Sequence, residues 1–157
     1  MTIRMKILVL LVSIVAWTFL AACDPRQLPG FKQEAQRQEE RLTRETDEAI
    51  KKSPALQELA RLCVTEIPRP QGFVEKLKYR DPHEEKFVGY AYNAKVDYAF
   101  VKSFYLDYFS QRGWQLTKQK DGGWGPSQLE FRNDKYQVKI SDKVQPDGAY
   151  HIVCFRL

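Results

Sequence analysis

The sequence predicts an α+β fold in which an antiparallel sheet of about five to six strands carries one long aromatic-faced helix, preceded by a charged helical stalk. Segments with alternating apolar residues lie on both sides of one helical segment, in the order strand, strand, helix and then three or four strands. Strands joined by short turns pair antiparallel and leave one face free for a helix. The helical segment keeps a strict i, i+3, i+4, i+7, i+8 spacing of apolar residues, at Val101, Phe104, Tyr105, Tyr108 and Phe109.

The first 22 residues have the pattern of a secretory signal peptide. Arg4 and Lys6 form a basic start, and residues 7–20 are almost entirely apolar. This apolar run is shorter than the roughly 20 residues that span a bilayer core as a helix. The sequence therefore predicts a leader that is removed, with an uncleaved signal anchor as the alternative.

The end of this segment adds a more specific pattern. Leu20, Ala21 and Ala22 followed by Cys23 resemble the lipobox of bacterial lipoproteins, which has an aliphatic residue, two small residues and a cysteine. The resemblance implies that Cys23 carries lipid and becomes the first residue of the mature chain. A diacylglycerol on the thiol and a further acyl chain on the α-amino group provide the two or more chains that stable anchoring requires.

Asp24 directly follows the predicted lipidation site. An aspartate in this position resembles the signal that retains lipoproteins in the inner membrane of enteric bacteria. We therefore expect a protein that is lipid-anchored to the cell membrane and faces the periplasm, with the inner membrane favoured over the outer.

The mature chain divides into a tether and charged stalk at 23–53 and a small α+β domain at 54–157. Glu, Gln, Arg and Lys dominate residues 31–52, and acid-before-base pairs at i, i+4 such as Glu40 and Arg44 favour a helix. The few apolar residues make a solvated helical stalk the favoured interpretation, with a weak coiled-coil partner site as the alternative.

A second helix should start at Ser53, a good N-cap, with Pro54 in the first helical position. It carries one of the two cysteines that remain when Cys23 is assigned to lipid, Cys63 and Cys154. An even pair in an oxidising compartment favours a disulfide, which would stabilise the fold by about 4 kcal/mol. Two buried free thiols are the alternative.

Alternation and turn residues place the strands and the central helix. Asp97 is positioned to cap that helix and Gly113 to end it in the left-handed conformation. The predicted strands lie at 73–80, 87–92, 114–117, 129–132, 136–140 and 150–155.

The domain is also similar to small domains found in uncharacterised bacterial lipoproteins. This resemblance covers about 85 residues and implies a fold more than a function. It rests on the arrangement of Pro70, Gly72, Phe104, Tyr105, Gly113 and Trp114 before a series of strands.

The residues offer little for catalysis. His83 lies in a charged turn, and His151 is three residues from Cys154 in a strand, which places the two side chains on opposite faces and excludes a shared metal ion. No serine lies in a nucleophile-elbow context, and no carboxylate pair has an apolar setting. We therefore expect no enzyme activity, no metal site and no cofactor.

The loop at 121–127, Asp-Gly-Gly-Trp-Gly-Pro-Ser, is the most distinctive in the chain. It lacks the Gly-Lys-Ser/Thr ending of a phosphate loop, so its glycines more simply permit a wide turn. Trp124 is a possible partner contact because tryptophan is enriched at interaction hot spots. The alternative is that Trp124 folds back over the sheet edge.

Charge and location limit the function classes further. Loss of Arg4 and Lys6 lowers the net charge from +5 to +3, which is too small for a nucleic-acid footprint. The favoured hypothesis is a membrane-anchored, non-catalytic interaction module that binds membrane lipid through Cys23 and another envelope protein. The alternative is a small-ligand or cell-wall-fragment binder that uses tyrosines on an open sheet face, such as Tyr90, Tyr92 and Tyr136.

Overall fold

The computed structural model of the protein describes residues 29–83, 85–123, 125–144 and 149–157, without the side chains at 29, 31, 143 and 144. The predicted signal peptide lies outside these residues. The described chain forms an α+β fold with a six-stranded antiparallel sheet and three helices, as the sequence predicted.

The helices are α1 (Pro29–Lys52), α2 (Pro54–Arg61), which continues into a π-helical turn (Leu62–Glu66), and α3 (Tyr98–Ser110). The strands are β1 (Val74–Arg80), β2 (Phe87–Asn93), β3 (Gln115–Lys120), β4 (Gln128–Arg132), β5 (Tyr136–Val144) and β6 (Ala149–Arg156). None of the helices in the described ranges combines the length and the hydropathy that crossing a membrane requires.

The predicted helix caps are present. The Ser53 hydroxyl accepts a hydrogen bond from the N–H of Leu56, and Asp97 accepts one from the N–H of Phe100. Gly113, at φ +72°, follows α3 in the left-handed conformation that glycine adopts without strain. These local signals fix the start of α2 and both ends of α3.

The strand order in the sheet is β1-β2-β6-β5-β4-β3, and each neighbouring pair is antiparallel. The β1–β2 hairpin and the β3–β4–β5 meander do not pair with each other. Strand β6 lies between them and pairs with β2 on one side and β5 on the other. The two edges of the sheet are therefore β1 and β3.

One face of the sheet, here called the helix face, packs against α2 and α3. Side chains alternate along β2, so that Val88, Tyr90 and Tyr92 are buried on this face. The rings of Phe109 in α3 and Phe131 in β4 stack at 4.2 Å between centroids. The helix predicted to be aromatic-faced thus forms the centre of the core.

The two cysteines other than Cys23 meet in this core. The Sγ atoms of Cys63 and Cys154 are 2.02 Å apart, at disulfide distance, as the sequence predicted. Cys63 lies in the π-helical turn and Cys154 in β6, and both are fully buried. The disulfide links the layer of helices to the middle of the sheet.

The charged segment is helical, and its second half contacts the sheet through Thr43 and Thr46. Residues from Glu39 onward belong to one compact unit, which begins well before the predicted domain boundary at 54. Thr46 in α1 is only 2% exposed. The contacts of this segment with β1 are polar, and only near its end do Ala49 and Ile50 pack against the core, so a continuous apolar stripe is not needed.

Candidate interaction surface

The two edges of the sheet differ in how their backbone groups are used. At the β1 edge, the N–H of Lys78 donates to the Thr43 hydroxyl of α1 at 3.2 Å. The Thr46 hydroxyl donates to the carbonyl of the same Lys78 at 3.5 Å. The two threonines are three residues apart and therefore lie on one side of the helix. Together they satisfy both outward-pointing backbone groups of Lys78.

Ion pairs hold α1 in this position. The Lys78 ammonium is 3.0 Å from Asp47, and the Lys76 ammonium is 2.9 Å from Glu39. Since α1 occupies the side of Lys76 and Lys78 on which another strand would pair, the β1 edge is closed at these residues. Covering an edge with a helix is a common way in which proteins prevent unwanted strand pairing.

Among the described helices and strands, none covers the β3 edge in this way. All six residues from Gln115 to Lys120 are exposed, and β3 pairs with β4 alone among the described strands. Leu116 is 44% exposed although it is a large apolar residue. An exposed edge strand presents unpaired backbone N–H and C=O groups, which form a template for an additional strand.

A bulge in β3 sets which side chains the edge displays. The register with β4 shifts between Leu116 and Lys118, so that Leu116 lies opposite Phe131 and Lys118 lies opposite Glu130. Phe131 is on the helix face and Glu130 on the opposite face. The bulge therefore sends Leu116 and Lys118 to different faces, although residues two apart normally share one.

The opposite face is basic near this edge. Among the described residues, the acid on this part of the face is Glu130, which accepts a hydrogen bond from Gln137 at 3.2 Å and one from Gln128. It also lies 3.7 Å from the Lys118 ammonium. Across the register from β3 to β5, the same face also carries Lys120, Arg132 and Lys139. No acidic side chain in the described ranges forms an ion pair with these three.

The loop after β3 begins with an anchored residue. The Asp121 carboxylate accepts hydrogen bonds from Lys102 of α3 at 2.7 and 2.9 Å and from Gln119 at 3.0 Å. The hydrogen bond from Lys102 is the main reason why the pKa of the Asp121 carboxyl lies below its usual range. Gly122 and Gly123 both have positive φ, as a wide turn requires. Trp124 and the predicted lipidation site Cys23 lie outside the described residues.

A cluster that the sequence interpretation missed lies at the other end of the opposite face. The Tyr79 ring of β1 lies across Gly89 of β2, and its hydroxyl is 2.8 Å from Nδ1 of His151 in β6. The rings of Phe87 and Tyr79 meet edge to face, and Phe87 also contacts Phe155. The residue that could have indicated this cluster in the sequence is Gly89, because glycine inside a strand often marks a close approach by another group.

Substitution of Gly89 by alanine should displace Tyr79. A Cβ at Gly89 would lie 2.4 Å from Cζ of the Tyr79 ring, so the ring must move and lose its contact with His151. We expect Gly89→Ala to lower the free energy of unfolding by about 1–3 kcal/mol. In a Tyr79→Ala background the same substitution should cost about 0.5 kcal/mol or less, because the clash is gone. Equal costs in both backgrounds, measured by urea unfolding, would contradict this arrangement.

The tyrosines predicted for a ligand site do not form an open surface. Tyr90 and Tyr92 are 2% and 0% exposed on the helix face, where they fill the interior. Desolvation raises the pKa of Tyr92 to about 12. Tyr136 is half-buried and donates its hydroxyl hydrogen to Glu58. The structure therefore does not bring the three together as the lining of an exposed site.

The histidines are placed as the sequence predicted. His83 is exposed in the β1–β2 connection, where its N–H donates to Asp81 at 2.8 Å. His151 and Cys154 point to opposite faces of β6, and Cys154 is joined to Cys63. Within the part of the chain that the structure describes, no group of three or more His, Cys, Asp or Glu side chains could hold a metal ion.

The fold and this surface define a small α+β module with one sheet edge closed by a helix and the other open. No protein-family model matches the chain, and no characterised protein or solved structure is significantly similar to it. Its function is therefore inferred from its residues and their arrangement.

Proposed function

We propose that the protein is a lipid-anchored envelope protein whose domain is a non-catalytic interaction module. Cys23 binds the membrane through its acyl chains, and the β3 edge binds an extended segment of another envelope protein as an added strand. The observation that carries this proposal is the difference between the two edges. Helix α1 covers the β1 edge, whereas all six residues of β3 are exposed.

Strand addition suits the β3 edge physically. An incoming strand pairs its main chain with the exposed N–H and C=O groups of β3, and each such hydrogen bond contributes about 0.5–1.5 kcal/mol net. The side chains of β3 on the two faces then provide specificity. Because the sheet is held by the core and the disulfide, the edge is already in its binding conformation and little ordering is required.

Membrane anchoring supports the same function. A lipid on Cys23 would confine the module to the surface where an envelope partner is found. Confinement of both partners raises their effective concentration, so even a modest affinity gives substantial binding. The anchor itself is tested by the intact mass of detergent-extracted protein, since a mass that contains residues 1–22 and no lipid would contradict it.

In-cell photo-crosslinking tests the proposed edge. We expect a crosslinker at Gln115 in β3 to give a discrete adduct with one other protein. Val74 is the matched control, because it is 64% exposed on the strand at the closed edge. The closed edge offers no place for an added strand, so a crosslinker at Val74 should give no adduct.

Two results would contradict the proposal. One is a failure to form an adduct from Gln115 or from a second β3 position, Gln119, in cells that contain the folded and anchored protein. The other is the same adduct from Val74 as from β3, which would place the partner away from the open edge.

A further inference from the structure

We infer that the segment bound at the β3 edge is an extended acidic strand in which acidic and apolar residues alternate. This inference rests on the proposed function and specifies the partner. It follows from the two side chains that the bulge sends to different faces and from the charges beside them.

The opposite face determines where the acidic residues lie. Lys118 and Lys120 are both on this face of β3, as shown by their register partners Glu130 and Gln128 in β4. An added strand would place alternate side chains directly beside these lysines. Opposite charges in such cross-strand positions attract and like charges repel. Glu130 is already hydrogen-bonded by two glutamines and paired with Lys118, so a net positive charge remains for an incoming carboxylate.

The charge extends beyond the edge strand. Arg132 of β4 and Lys139 of β5 lie on the same face as the two lysines. They add to the positive potential that an acidic segment would meet, even where they do not contact it. Such a potential steers association and disfavours partners of the wrong charge.

The helix face determines which residues of the bound segment alternate with the acidic ones. Leu116 lies on this face at the edge and is nearly half exposed. A strand beside β3 would place one of its helix-face side chains next to Leu116, and burial of that apolar surface favours an apolar residue there. The other helix-face residue of β3 past the bulge is the polar Gln119. Acidic residues on one face and apolar residues on the other give the alternating pattern.

The same lysines disfavour a second copy of the chain as the occupant. Two β3 strands that paired with each other would concentrate four lysines at one edge contact. Lysine in an edge strand is a known device against such self-pairing. The lysines thus disfavour pairing with a second β3 strand and favour pairing with an acidic strand.

Three labelled peptides of equal length test the inference on the full chain in detergent, by fluorescence anisotropy at nanomolar peptide. One alternates Glu and Val, one alternates Lys and Val, and one contains the Glu and Val residues in blocks. We expect the alternating Glu peptide to bind at least about tenfold more tightly than either of the others, with an affinity that falls as salt is added.

Charge reversal on the protein provides the second measurement. The double variant Lys118→Glu, Lys120→Glu should reverse the preference, so that the Lys peptide binds more tightly than the Glu peptide. The matched control is Lys51→Glu, Lys52→Glu in the last turn of α1, which changes the net charge equally at exposed positions away from β3. The control should keep the preference of the unmodified chain.

Each outcome has a distinct meaning. Equal binding of the three peptides, or reversal by the α1 control as well, overturns the inference. If Gln115 still crosslinks to a partner in cells, the proposed function survives that failure. If neither a peptide nor a partner binds the edge, both the inference and the proposed function are contradicted. Concentration-dependent dimers of the unmodified chain in sedimentation, changed by the β3 double variant but not by the α1 control, would make a second copy the occupant and overturn the inference.

Discussion

Removal of the disulfide should lower the free energy of unfolding by about 4 kcal/mol. Cys63 and Cys154 are 91 residues apart in sequence, so the bond closes a long loop and restricts the unfolded chain strongly. Both residues are fully buried between the helix layer and the centre of the sheet. Since a domain of this size has only about 5–15 kcal/mol of net stability, the loss is a large part of the total.

Equilibrium urea unfolding followed by circular dichroism measures this effect. The double variant Cys63→Ala, Cys154→Ala is compared with the unmodified chain, with and without a reductant. Cys23→Ser serves as the control, because it removes a cysteine that is not part of this pair. A decrease of less than about 1 kcal/mol in both the variant and the reduced chain would contradict the predicted contribution.

Phe109→Ala should lower the free energy of unfolding by about 3–5 kcal/mol. Phe109 is fully buried, stacks on Phe131 and contacts Trp114 at 5.1 Å between ring centroids. Its removal leaves a cavity between α3 and the sheet. The four aromatic rings that contact Phe109, including Tyr105 and Tyr108, are too large to fill this cavity without rearrangement.

The same helix offers a control for this substitution. Phe100 is one of the exposed apolar residues of α3, at 49% exposure. Phe100→Ala should change the free energy of unfolding by about 0.5 kcal/mol or less. Equal losses for the two variants, measured by the same urea unfolding, would mean that the aromatic stripe of α3 does not form the core.

Local patterns predicted much of this fold. The spacing from Val101 to Phe109 identified α3, because a helix that buries one face must repeat its apolar residues every three or four positions. Alternation identified β2 and β6 for the corresponding reason in strands. The pairing of Cys63 with Cys154 was favoured because these two cysteines remain when Cys23 is assigned to lipid. Each of these signals is contained in a short stretch of sequence or in a residue count.

The features that were missed depend on contacts between distant residues. The prediction ended β3 at Thr117, but the strand continues to Lys120 because β4 supplies its backbone partners, and its own residues show no alternation. The packing of α1 depends on hydroxyls of Thr43 and Thr46, which have no periodic apolar signature. Strand pairing and polar contacts of this kind are decided by the whole chain.

The candidate surface was predicted only in part. The interpretation of the sequence placed a partner contact near Trp124, in the loop that follows the edge strand now proposed as the binding element. It did not identify the edge itself, because the strand order cannot be read from local patterns. The bulge between Leu116 and Lys118 was also invisible, since nothing in the sequence distinguishes it from a regular strand.

The central position of β6 has a consequence for how the protein matures. The hairpin of β1 and β2 and the meander of β3 to β5 have no direct pairing, and only residues 149–156 join them. A chain that is synthesised from its N-terminus therefore cannot complete the sheet until this last segment is made. Cys63 likewise cannot form its disulfide until Cys154, 91 residues later, has been made. Maturation of the domain is thus expected to be late and all-or-none, governed by long-range contacts that slow folding.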